Sequence, residues 1–387
     1  MACLHKMAYI HCMKNWPIFL LLCALLPACA PQHQLAVGTY TNGKASKGGL
    51  YLFEFDSRHA SSILLDSLNI LNPSFVAVAP GGKHLYAVRE ETGGSNYGGA
   101  VAAIAVQREQ GRLKAMNEQP SMGNHPCYVA LHRGGKWLAV GNYSSGTVAI
   151  LPVAEDGALA PAVTHIAHQG SSVHRGRQAA PHVHATVFSP DGNFLLVPDL
   201  GTDKLMMYRF DQKTGGLKPA ANAYAASSPG AGPRHVAFHP SNKFVYLVEE
   251  LTGTIAAYRY GAAEGSLTLL QNIASTPPAF TGFAGSADVH VAPNGKFLYA
   301  SNRGDANNIA IFSINKSTGL LTPLGHQPTL GKAPRNFTIH PSGRWLLVGN
   351  QDSNEIVVFE INKTTGLLTD SGKRISLHKP VCLQWVR

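Results

Sequence analysis

Several features are scarce in this 387-residue chain, and each scarcity removes a class of protein. No run of lysines and arginines occurs. The formal net charge is +10, but the basic residues are scattered through turn-like segments, which argues against a nucleic-acid surface. No Cys-x-x-Cys pair and no zinc-type Cys/His spacing is present, which excludes the common zinc modules. A Gly-x-Ser-x-Gly elbow is missing too, which disfavours a serine nucleophile. Charged residues make up only 14%, and no segment sustains a long 3.6-residue apolar period. A helical bundle is therefore excluded.

What is abundant is glycine (39) and proline (24), the composition of a strand-and-turn protein. The prolines recur in one phrase: Pro73-Ser-Phe-Val76, Pro126-Cys-Tyr-Val129, Pro181-His-Val-His184, Pro233-Arg-His-Val236 and Pro334-Arg-Asn-Phe337. The double-length gap before Pro334 hides a further copy, Ala287-Asp-Val-His290, which lacks the proline. A period near fifty residues marks an array of supersecondary units.

The fourth copy shows the unit most clearly. Arg234–His239 is a short strand, Pro240–Lys243 a turn, and Phe244–Val248 a continuous apolar strand. Thr252-Gly253 turns again before strands over Thr254–Tyr258 and Ser266–Gln271. Four antiparallel strands in such a repeat describe a propeller blade. Six copies start at residues 73, 126, 181, 233, 287 and 334, and a seventh begins at Pro380, where only one strand remains. Its three missing strands lie at the other end, over Leu35–Tyr40, Gly49–Phe55 and Ser62–Leu65. The expectation is an all-β, seven-bladed β-propeller over residues 35–387. One C-terminal strand and three N-terminal strands close it in a single blade, which removes two exposed sheet edges.

Residues 1–29 read as a separate leader. Ile18–Leu26 is an apolar core preceded by Lys14 and too short to span a bilayer, and it ends in Leu26-Pro-Ala-Cys29. This ending resembles a bacterial lipobox, which makes Cys29 the expected lipidated residue and the only link to a membrane. The compact signal begins at Met13, so residues 1–12 read as an extension before the true start. The expected location is exported, either periplasmic or anchored to a membrane as a lipoprotein. A simple cleaved signal without lipid is the alternative. Cys127 and Cys382 are the only cysteines beyond Cys29. They belong to first strands of non-adjacent blades, so they are expected as unbridged, buried thiols.

Strand direction predicts where chemistry can sit. In an antiparallel blade the start of strand one and the end of strand two share one end. Strand-one starts carry His125, His182, His184, Arg234, His235, Asp288, His290 and Arg335. Strand-two ends carry Arg89-Glu90, Asn142-Tyr143, Asp199, Glu249-Glu250, Asn302-Arg303 and Asn350-Gln351. Sevenfold repetition gathers these around one mouth of the central channel. Arg234, Arg303 and Arg335 suit bidentate binding of carboxylate or phosphate. His184 and Glu250 are the proton-transfer candidates, expected to titrate near neutral pH. Glu249 and Glu250 face oppositely, so at most one enters the channel. His182 and His184 share one strand face and could hold a metal, but no third ligand is fixed. A residue beside a repeat proline may equally serve only to bond blade to blade.

These residues resemble a known family. Val37-Gly-Thr-Tyr-Thr41, Arg177-Gln178, Pro181-His-Val-His184, Asp199-Leu-Gly-Thr-Asp203, Gly232-Pro-Arg-His235, Glu250-Leu251, Ser301-Asn-Arg303 and Pro334-Arg-Asn-Phe337 run in the order seen in the seven-bladed lactonases. That family includes the bacterial propeller-type 6-phosphogluconolactonases and the fungal carboxy-cis,cis-muconate cyclases. The resemblance covers about residues 35–387. It implies a hydrolase that needs no cofactor or metal and acts on a small anionic sugar lactone, most simply 6-phospho-D-glucono-1,5-lactone. It implies His184, Glu250, Arg234 and Arg303 as catalytic residues, with His182, His235, Arg335 and Asn302 binding substrate. The calcium-dependent six-bladed gluconolactonases fit less well. An exported relative acting on other lactones, a cyclase-like enzyme and a non-enzymatic ligand-binding propeller remain as alternatives.

Overall fold

Twenty-eight strands form seven four-stranded antiparallel sheets in the structure, a computed structural model that describes residues 32–41, 49–93 and 98–386. The leader and Cys29 lie outside the described residues. Short 3₁₀ turns are the only helical segments described, and none is long and apolar enough to cross a membrane.

Each blade follows from its turns. In the fourth, β16 (Pro233–Phe238), β17 (Phe244–Glu249), β18 (Thr254–Gly261) and β19 (Ser266–Ala274) pair in chain order. Asn242 takes a left-handed φ of 60° between the first two, a conformation that asparagine tolerates. Phe244 through Val248 are all buried because neighbouring blades cover both faces, which is why the strand reads as an unbroken apolar run. Each such side chain contributes about 1.5–3 kcal/mol of burial. Polar clasps fix one blade to the next. The hydroxyls of Tyr86, Tyr246 and Tyr299 donate to the carbonyls of Gly157, Gly319 and Gly366 at 3.0, 3.0 and 2.8 Å. Gly319 must remain glycine: its φ is +79°, and a Cβ would lie 2.3 Å from the Phe244 ring.

Closure occurs as the repeat count requires. β28 (Pro380–Val386) pairs with β1 (Gln32–Thr39), followed by β2 (Leu50–Asp56) and β3 (Ser61–Leu68), with Leu35 opposite Trp385 and Val37 opposite Leu383.

The repeat proline has a geometric role. At Pro126, Pro233 and Pro334 it pairs with the last residue of strand two, and the register then slips by one residue. The residue left over is Cys127, Arg234 or Arg335. The same slip beside Pro380 leaves Val381 unpaired. Bulges of this kind re-aim a side chain, and Cys127 and Arg335, left over in this way, both line the cavity described below.

The third blade departs from expectation. Its innermost strand, β12, is only Val187–Phe188, and before it Val183 makes a single bridge to Asp199. Residues 168–186 form a long irregular loop instead of a strand starting at Pro181. Pro198 explains this: it occupies the partner strand β13 (Phe194–Asp199) without an N–H to donate, and its carbonyl accepts the His184 amide at 3.0 Å. His182 and His184 therefore do not share a regular strand face.

Candidate active site at one mouth of the channel

The end of strand two obeys a parity. Its last residue does not line the cavity, and in five of the seven blades the following residue does, the exceptions being Leu200 and Gln351. Arg89, Asn142, Asp199, Glu249, Asn302 and Asn350 take the first place. Asn302 is fully buried; it accepts from the Ser275 and Ser286 hydroxyls and donates to the Ser275 carbonyl and to Asn308. All its bonding capacity is spent in this clasp, so the expected substrate contact by Asn302 is replaced by a structural one. Asn142 and Asn350 make the matching bond to the Ser121 and Thr329 carbonyls. Glu249 is likewise buried, against the Thr254 hydroxyl. Glu90, Tyr143, Glu250 and Arg303 take the second place, and all four line a cavity of about 220 Å³. Tyr40, Cys127, Arg177, His184 and Arg335 complete the wall.

Glu250 is the hub of this cavity. Its Oε1 accepts from Arg177 at 2.6 Å, and its Oε2 pairs with Arg234 at 3.0 Å and Arg303 at 2.9 Å. Burial alone raises a carboxyl, but Arg303, Arg234 and Arg177 more than offset it and hold Glu250 down to about 2. Glu250 is thus a fixed anion rather than a group titrating near neutrality as expected. Arg234, fully buried, lies behind Glu250 and not on the cavity wall. It also donates to the Ala287 carbonyl and lies 3.2 Å from His235 Nε2.

His184 is buried against Cys127, with Nδ1 3.7 Å from Sγ, and its Nε2 has no protein partner among the described residues. Burial, followed by the charges of Arg234, His235 and Arg335, holds its pKa well below the usual histidine value. It too departs from the expectation of titration near neutral pH, and stands as a neutral imidazole. Burial likewise raises the Cys127 thiol, which stays protonated. Cys127 and Cys382 are both buried and unbridged.

Arg335 differs from the other arginines. It forms no ion pair among the described residues and lies over the Tyr40 ring, 5.2 Å from its centroid. Among the described residues its fork has no partner, while those of Arg177, Arg234 and Arg303 are engaged with Glu250.

Two expected contacts lie elsewhere. His182 stacks on Tyr143 with centroids 4.4 Å apart and Nδ1 3.0 Å from the Tyr143 carbonyl, so it backs the wall rather than forming it. His235 lies below, with Nδ1 2.8 Å from Asp288, and lines a second cavity of about 250 Å³ further down the channel. Asp288 also receives His290 at 2.9 Å and Asn336 at 2.6 Å.

Arg177, Tyr40 and Cys127 are wall residues that the sequence reading did not place at the mouth, and Glu90 and Tyr143, which it did gather there, were given no role. Glu90 and Tyr143 were signalled by the strand-two parity, and Cys127 by its place after a repeat proline. Arg177 comes from the third-blade loop, which no other repeat shares. That loop is braced by Gln178 Nε2, which donates to Asp203 at 2.7 Å and to the Leu200 carbonyl at 2.9 Å. Among the described residues no three His, Cys, Asp or Glu side chains converge as a metal site would require.

Comparison with known proteins agrees with this geometry. The family described as Lactonase, 7-bladed beta-propeller matches residues 34–385. A 6-phosphogluconolactonase of Formosa agariphila is 37% identical over 318 residues, covering 81% of this chain and 88% of the relative. A 6-phosphogluconolactonase of Bacillus subtilis is 35% identical over 351 residues, covering 90% and 97%. The solved structure of a periplasmic gluconolactonase from Pseudomonas aeruginosa superposes with a TM-score of 0.87 at 34% identity, covering 92% of this chain and 99% of that one. With seven blades, the matching repeat order and an arginine-rich mouth, the chain belongs to the seven-bladed β-propeller lactonase family.

Proposed function

We propose that this protein hydrolyses a sugar lactone carrying an anionic group, 6-phospho-D-glucono-1,5-lactone being the leading substrate. The observation that carries this reading is the pairing, in one small cavity, of a neutral buried imidazole with Arg335, whose fork has no partner among the described residues. The names of the Formosa and Bacillus relatives support the substrate.

In the proposed mechanism Arg335 receives the anionic group, with Arg303 and Arg177 adding positive field. His184 Nε2 takes a proton from water, and the hydroxide adds to the lactone carbonyl carbon. The oxyanion that forms is stabilised by the arginine cluster. Its collapse breaks the ring C–O bond, and the imidazolium returns its proton to the departing ring oxygen. Glu250 acts as the fixed counter-charge that keeps Arg177, Arg234 and Arg303 in place. His235 and His182 act from behind, on Arg234 and Tyr143.

Export is part of the proposal. It rests on the Ile18–Leu26 core with its Cys29 ending and is in keeping with the periplasmic Pseudomonas relative. An unphosphorylated gluconolactone is the second reading that this favours.

Hydrolysis of phosphorylated and unphosphorylated gluconolactone, assayed side by side, tests both. His184→Ala should lower kcat at least 100-fold with KM changed less than threefold. Parental turnover by His184→Ala would remove His184 as the base, and no hydrolysis of either lactone by the parent would remove the enzymatic reading.

A further inference from the structure

The cavity holds two carboxylates in opposite situations. Glu250 is saturated by three arginines. Glu90, from the first blade, receives only the Tyr40 hydroxyl among the described residues, at 3.1 and 2.9 Å to its two oxygens. One phenol proton shared between two oxygens leaves most of the carboxylate's acceptor capacity unused. Glu90 is half-buried and faces the cavity.

Ring order places this group. Tyr40 follows strand two of the seventh blade and Glu90 follows strand two of the first. Arg177, Glu250 and Arg303 belong to the third, fourth and fifth blades. The cavity is therefore polarised, with Arg177, Arg303 and Glu250 on one side and the acceptors Glu90 and Tyr40, beside Arg335 of the sixth blade, across the mouth.

We infer that Glu90, held by Tyr40, is a specificity-determining residue that accepts hydrogen bonds from ring hydroxyls of the substrate and repels ligands presenting a second anionic group there. The inference rests on the lactone reading above and narrows it. The substrate presents its anionic group to the arginines and hydroxyls to Glu90, which selects polyhydroxylated lactones over polycarboxylated ones. A charge-assisted bond to a hydroxyl is about twice as strong as a neutral one. A site built to bond a hydroxyl strongly rejects an analogue that lacks it, and like charges brought together add a repulsive element to selectivity.

Glu90→Gln keeps the shape and removes the charge, and Tyr40→Phe removes the phenol proton that orients the carboxylate. In the full-length protein, Glu90→Gln should lower kcat/KM on 6-phosphogluconolactone about 10- to 100-fold. Calorimetry with 6-phosphogluconate and the tricarboxylate tricarballylate provides a readout independent of turnover. Glu90→Gln should bind the first at least tenfold more weakly and the second at least tenfold more tightly, and Tyr40→Phe should shift both in the same directions by less. Loss of hydrolysis in the parent would defeat the lactone reading alone, while the calorimetric exchange still judges Glu90. An unchanged ratio of the two affinities, parallel losses for both, or no binding of either ligand would overturn the inference.

Discussion

Replacing Glu250 by glutamine keeps the shape of the side chain and removes its charge, leaving three arginines to face one another in a buried site. Two routes give the size of the effect. Burial alone would raise the Glu250 carboxyl, but Arg303, Arg234 and Arg177 bring it from 4.5 to about 2. At 1.36 kcal/mol per tenfold change in the proton equilibrium, this is worth about 3 kcal/mol at neutral pH. Removing one partner of a buried ion pair independently costs about 3–5 kcal/mol, and Arg234 is only 1% exposed. The sign follows from the depressed folded-state value. The stabilisation is complete above pH 4.5 and is lost as pH falls toward 2. Urea unfolding followed by tryptophan fluorescence should place Glu250→Gln about 3–5 kcal/mol below the parent at pH 7. The gap should narrow steadily below pH 4.5. A gap under 1 kcal/mol at pH 7, or one that widens on acidification, would refute the view of Glu250 as a structural counter-charge.

Two other outcomes follow from the same geometry. Asn302→Ala should cost about 3 kcal/mol, because it orphans buried partners in Ser275, Ser286 and Asn308; kcat/KM of the folded enzyme should stay within twofold, as steady-state kinetics at low temperature will show. The rate should be level from pH 6.5 to 8 and fall only well below pH 6.5, since burial, Arg234, His235 and Arg335 keep His184 unprotonated until then; a pH–rate profile with its acid limb centred at 6.5 or above would exclude His184 as the base.

The blades were legible because their signals are local. A Pro-Ser-Asn or Pro-Asp-Gly turn and a five-residue apolar run are complete within a dozen residues, and the repeat multiplies each signal. Closure could be read from the incomplete copy at Pro380. The end of the channel that carries the arginine-lined cavity was also legible, since it follows from strand direction alone. Individual side chains were harder. Asn302 and Arg303 are neighbours with opposite fates, and only the parity of the strand separates the clasp from the wall. Arg177 lies on a loop with no counterpart in other repeats, so no periodic signal points to it. The ionisation of Glu250 depended on three arginines from the loop and from two blades meeting at one carboxylate, which no linear reading can weigh.

The seventh blade also sets an order of events. Until Pro380–Val386 has been synthesised, Gln32–Thr39 has no inner neighbour and the ring cannot shut. A nascent chain of this protein keeps two sheet edges open until this strand has left the ribosome, so closure of the ring waits for the strand that follows the sixth blade.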